Sequence, residues 1–100
     1  MQVTFQTVHF TANQKLKDYI SDKLQKLEKF YPKILQATVY LKLENSGQVK
    51  DKVIEIKMNV PGNTLIATNS DKAFEASFDD ALENIKRQLI KLHEKAQALR

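Results

Sequence analysis

Residues 2–10, QVTFQTVHF, set Val3, Phe5 and Thr7 on one side and Thr4, Gln6 and Val8 on the other. That period of two predicts a strand. The period then lengthens. Leu16, Ile20, Leu24, Leu27 and Tyr31 recur at helical spacing, which predicts a helix to about Phe30 that Pro32 prevents from continuing. Thr11 or Asn13 is its expected cap, and Thr11 with Gln14 has capping-box spacing.

From Ile34 the period returns to two, with Ala37, Val39, Leu41 and Leu43 on one face and Thr38, Tyr40, Lys42 and Glu44 on the other. The segment 45–52, NSGQVKDK, reads as a polar loop. Ile54, Ile56, Met58 and Val60 then point inward, Pro61-Gly62 turns the chain, and Asn63 to Thr68 forms a short last strand. Ser70 is the expected cap of a long helix reaching about Ala96.

The predicted architecture is α+β, in the order β-α-β-β-β-α, within a single domain of residues 1–100. Strands with one apolar and one polar face need helices on one side only. A right-handed crossover makes the first two strands parallel. Two hairpins then return the fourth strand to the direction of the second. The result is a four-stranded mixed sheet with two parallel helices on one face, an arrangement like that of double-stranded-RNA-binding domains.

Charge sharpens this picture. The net charge of +4 is concentrated in two places. Residues 15–33 hold six lysines against Asp18, Asp22 and Glu28, and residues 83–100 hold five bases against Glu83 and Glu94, a surplus of +3 in each. The remainder is therefore acidic, an asymmetry that suggests a polyanionic partner. The helix dipole accounts for bases late in a helix, but not for their alignment. At roughly 100° per residue, Phe74, Phe78, Ala81, Leu82, Ile85, Leu89, Leu92 and Ala96 form one apolar arc. Asn84, Arg87, Lys91 and Lys95 form a row along one flank of it, while Lys86 and His93 lie on the other. Lys23 falls inside the apolar arc of the first helix, with Lys26 near its edge, so Lys23 is expected to snorkel outward. Together these residues suggest a shared basic rim that binds phosphates.

Other chemistries find little support. There is no cysteine, and His9 and His93 lack metal-ligand spacing. Two glycines leave no phosphate-cradling loop. Asp79 and Asp80 read as charges at a helix N-terminus, and no nucleophile–base set can be assembled. The expectation is a protein that is not an enzyme and needs no metal or cofactor. No run approaches the ~20 apolar residues of a membrane span, and the N-terminus does not read as a signal peptide. The outward sheet face carries Tyr40 as its only aromatic residue, so base stacking on the strands is disfavoured.

The stretches MQVTFQTVHFTANQKLKDYI, SDKLQKLEKF, NVPGNTLIA and KRQLIKLHEK closely resemble the ribosome hibernation promoting factor family. That family includes the ribosome-associated inhibitor protein Y and was earlier named for modulation of an alternative sigma factor. Arg87-Gln88-Leu89-Ile90-Lys91 followed by Lys95 carries the resemblance most specifically, and Leu24 to Glu28 next. The resemblance implies a monomeric cytoplasmic factor of stationary phase and stress that binds the small ribosomal subunit. It would occupy ribosomal RNA in the decoding channel and block messenger and transfer RNA, with no affinity for membrane or DNA. Lys23, Lys26 and Lys29 on the first helix, with Arg87, Lys91 and Lys95 on the second, match basic positions that contact the RNA, and Lys86 is a secondary candidate. Asn84 departs from a lysine common among relatives. Ending at Arg100, the chain resembles the short form, which acts alongside a small ribosome modulation factor. The alternatives are a general structured-RNA-binding domain and a protein-interaction module of the sigma-factor-modulating kind.

Overall fold

The computed structural model describes residues 1–46 and 49–98, with side chains described for 1–44 and 51–96. The elements are β1 (Gln2–Val8), α1 (Gln14–Phe30), β2 (Gln36–Ser46), β3 (Val49–Val60), β4 (Asn63–Asp71) and α2 (Phe74–Ala98). The sheet order is β1-β2-β3-β4, with β1 parallel to β2 and the other neighbours antiparallel. The expected order and mixed sheet are both present.

Register explains which face is buried. Phe5, Val39, Ile56 and Ala67 form one row across the sheet, and Val3, Ala37, Met58 and Leu65 the next. These positions join Leu16, Ile20, Leu24 and Leu27 of α1 and Phe78, Leu82, Ile85 and Leu89 of α2 in one apolar cluster. Alternate strand residues point the other way, and Lys42, Lys57, Ile66 and Thr68 are exposed there. Both helices therefore cover one face of the sheet. They run in the same direction: Tyr19 and Lys23 meet Asp79, while Phe30 and Ile90, further along each helix, line the same groove.

Several boundaries differ from the sequence reading, for identifiable reasons. The loop expected at 45–52 is mostly strand, because β2 pairs with β3 as far as Ser46↔Val49. Only residues 47 and 48 separate the two strands, and they lie outside the described residues. A longer β3 also gives β4 more partners. Ser70 pairs with Val53 and Asp71 with Lys52, so Ser70 is a strand residue and not the cap of α2. The connection is held instead by the Asp71 carboxylate, which accepts the Lys72 N–H at 2.6 Å, and by the Lys52 ammonium, which donates to the Lys72 carbonyl at 2.9 Å. Ser77, fully buried, donates its hydroxyl to the Asn69 carbonyl at 2.7 Å and ties the first turn of α2 to β4.

At α1 the cap is Asn13, whose Oδ1 accepts the Leu16 N–H at 2.8 Å; the capping box expected at Thr11 does not supply it. Tyr31, read as the end of the stripe, is the C-cap residue, with its N–H on the Leu27 carbonyl. β1 ends at Val8, where His9 takes a φ of 70°, a left-handed conformation that histidine tolerates better than most side chains. Gly62 supplies a φ of 80° behind Pro61, the combination of a type II turn. The rings of Phe10 and Phe74 stack at 4.9 Å and join the two helix starts.

Candidate nucleic-acid interface

Each helix begins over the sheet, but α2 extends beyond the core. Its last buried side chain is Leu89, Leu92 is only half-buried, and residues 93–96 are exposed. Ala96, expected to pack inward, therefore faces solvent, because its turn of α2 reaches past the packed surface. Arg87, Lys91 and Lys95 are all exposed, and the latter two stand on this outer part.

The two basic groups do not merge into the single rim anticipated. The groove between the helices, about 740 Å³, is lined on the α1 side by Lys23, Lys26, Leu27, Phe30 and Tyr31. On the α2 side it is lined by Asp79, Asp80, Leu82, Glu83, Lys86 and Ile90. Lys86, the secondary candidate, is thus the α2 base that shares a site with Lys23 and Lys26. Arg87, Lys91 and Lys95 are outside that lining. Their flank continues from Asn84 and Gln88, whose side chains bond at 2.8 Å while Gln88 donates to the Ile66 carbonyl of β4 at 3.0 Å. The basic row therefore lies on the β4 side of α2, with the lysine groove on its α1 side. Lys29 is exposed on α1 and also outside the groove.

Lys23 does not simply snorkel into solvent. Its ammonium donates to Asp79 Oδ1 at 2.8 Å and sits 4.8 Å from the centre of the Tyr19 ring. The Tyr19 hydroxyl donates to the same carboxylate at 2.8 and 2.9 Å. The hydrogen bond to Asp79 raises the Lys23 pKa above its ordinary value, Tyr19 adds to the rise, and burial opposes it. Asp79 is therefore more than a dipole charge: it clamps α1 to α2. Tyr19 and Lys23, one turn apart, carry the signal, which becomes visible once the helices are known to run side by side.

Among the described residues, Lys26, Lys29, Lys86, Arg87, Lys91 and Lys95 make no ion pair, whereas Lys23 does. Among the described residues these six bases are therefore left without an internal ionic partner. On the opposite sheet face, Thr68 donates to Glu55 and Thr64 to Asn59, each at 3.2 Å, and Tyr40 is the aromatic residue among the outward strand positions. No group of three or more potential metal ligands occurs among the described residues, and no described helix is long and apolar enough to cross a membrane.

Two parallel helices backing one mixed sheet define a small basic module of the α+β class. The chain belongs to the sigma 54 modulation protein / S30EA ribosomal protein family, whose pattern it matches over residues 3–97. It is 31% identical to the ribosome hibernation promoting factor of Pseudomonas putida, over 99% of this chain and 93% of that one. It is 30% identical to the ribosome hibernation promoting factor of Azotobacter vinelandii, over 95% and 85% respectively. Two solved structures share the fold. A ribosomal subunit interface protein from Coxiella burnetii superposes with a TM-score of 0.84 at 15% identity, covering 94% of this chain and 99% of that one. The protein Y N-terminal domain of Thermus thermophilus gives 0.78 at 22% identity, covering 92% and 99%. With this membership the chain is a binding protein and not an enzyme.

Proposed function

We propose that this protein is a ribosome hibernation factor that binds small-subunit ribosomal RNA in the decoding channel and blocks the entry of messenger and transfer RNA. Its action is steric occlusion in the cytoplasm, anchored by phosphate contacts and without turnover. Arg87, Lys91 and Lys95 are the principal anchors, with Lys23, Lys26 and Lys29 of α1 as the second set and Lys86 between them. The protein acts as a monomer, alongside a separate small ribosome modulation factor.

The observation that carries this reading is the row Arg87–Lys91–Lys95, exposed and without an ion pair among the described residues. A helix dipole favours basic residues near its end but leaves their alignment unexplained. Family membership and the hibernation factors among the relatives support the ribosome as the polyanion concerned. Co-sedimentation with small ribosomal subunits across a salt series, comparing the natural protein with Arg87→Glu/Lys91→Glu, tests it. Binding should fall steeply with salt and disappear in the double variant. No co-sedimentation at low salt, or equal affinity for any duplex RNA, would refute it.

A further inference from the structure

Phe30, the last residue of α1, is 79% exposed, more than any other large apolar side chain described. Its neighbour Tyr31 closes the helix and is half-buried, so the chain turns one ring inward and leaves the other outside. Phe30 lines the interhelix groove together with Leu27, Leu82 and Ile90, and Ile90 on the facing helix is itself 47% exposed. Apolar surface from both helices thus lines one open slot. Its volume of about 740 Å³ lies within the range of small-molecule sites.

We infer that Phe30 is a stacking platform for an unpaired nucleobase of the RNA whose phosphates Lys26 and Lys86 hold. The inference rests on the RNA-binding reading above and extends it from phosphates to a base. The groove changes character along its length. At one end Asp79 is committed to Tyr19 and Lys23, and Asp80 accepts from Asn69 at 3.4 Å. Further along come Lys26, Glu83, Lys86 and Phe30, with neither lysine paired among the described residues. An apolar peptide would use Phe30 and Ile90 but gain nothing from the two ammonium groups. A nucleotide uses both halves, its base face on the ring and its phosphate on the lysines, as single-strand binders do. A base inside a duplex cannot reach the ring, so the target is a loop, bulge or unstacked nucleotide.

The chain contains no tryptophan, so Phe30→Trp introduces a unique fluorophore at the site. Phe30→Leu keeps the apolar bulk and removes the aromatic face. Since the side chain is exposed, both variants should melt within a few degrees of the natural protein. Titration with small ribosomal subunits should quench the introduced tryptophan, and Phe30→Leu should bind about five- to 150-fold more weakly. Its salt slope should stay that of the natural protein, because no phosphate contact is lost. Unchanged affinity in Phe30→Leu, or no quenching at saturation, overturns the stacking role while RNA binding by the lysines stands. Emission that brightens and shifts to the blue overturns it in favour of an apolar contact with a protein of the subunit. Failure of the natural protein to bind subunits defeats the RNA reading and this inference with it.

Discussion

Lys23 and Asp79 join the two helices at 2.8 Å, and the Tyr19 hydroxyl shares the same carboxylate. Both charged side chains are more than a third exposed, at 37% and 41%, so water screens the pair strongly. With its hydrogen bonds the cluster contributes about 1 kcal/mol. Asp79→Ala should therefore lower the melting temperature by roughly 4–8 °C, the shift such a loss gives in a domain of this size. Calorimetry decides the matter: an unchanged melting temperature would mean that apolar packing alone fixes the seam.

The same cluster predicts a pH dependence. Asp79, and secondarily Tyr19, raise the Lys23 pKa above its ordinary value of 10.5. A raised value means that the folded state holds the proton more tightly, so the contribution is complete below 10.5 and lost as pH rises through the folded value. The stability gap between the natural protein and Lys23→Gln should stay level from neutrality to about pH 10 and narrow above it. Urea unfolding at several pH values measures the gap. A gap that widens in alkali would reverse the assignment.

Lysines that carry an internal bond and lysines that do not should differ under salt. Lys91 and Lys95 are exposed and unpaired among the described residues. Lys91→Gln or Lys95→Gln should flatten the salt dependence of subunit binding by about one phosphate contact each and leave the melting temperature unchanged. Lys23→Gln should lower stability as well, because it also breaks the clamp to Asp79. Filter binding at several salt concentrations, paired with melts, separates the two kinds of residue. Equal melting losses in all three variants would contradict the division.

Much of this arrangement was legible in the sequence because its signals are local. The period of two over Ala37 to Leu43 and the helical stripe from Leu16 to Leu27 each encode a buried face directly, and they reappear as the core. Other features depend on neighbours remote along the chain. The strand character of residues 49–52 and of Ser70 is set by pairing across β3, which overrides their polar, turn-forming composition. The flank rule placed Arg87, Lys91 and Lys95 in one row but could not tell which flank of α2 faces α1. That is fixed by Tyr19 and Lys23 meeting Asp79, a contact that brings Lys86 into the groove. Phe30 carries no such local signal, because helical spacing does not reveal that a terminal aromatic ring will be left outside.

Gln88 links that geometry to the behaviour of the sheet edge. β4 is an outer strand, and strand edges left open invite pairing with other chains. The Gln88 amide donates to the Ile66 carbonyl at 3.0 Å and to Asn84 Oδ1 at 2.8 Å, so one side chain of α2 both occupies an edge acceptor and orients its neighbour. The Ile66 side chain is itself 52% exposed on the open face, which makes this stretch of edge the more adhesive. Gln88→Ala should cost about 0.5–1.5 kcal/mol for the lost hydrogen bond and should promote self-association that rises with protein concentration. Adding Ile66→Lys to that variant should reverse the added self-association, because a charge on an edge strand opposes pairing. Sedimentation velocity over a concentration series reads both effects. If Gln88→Ala self-associates no more than the natural protein at any concentration, the amide serves only to anchor α2, and the edge is protected by the helix itself.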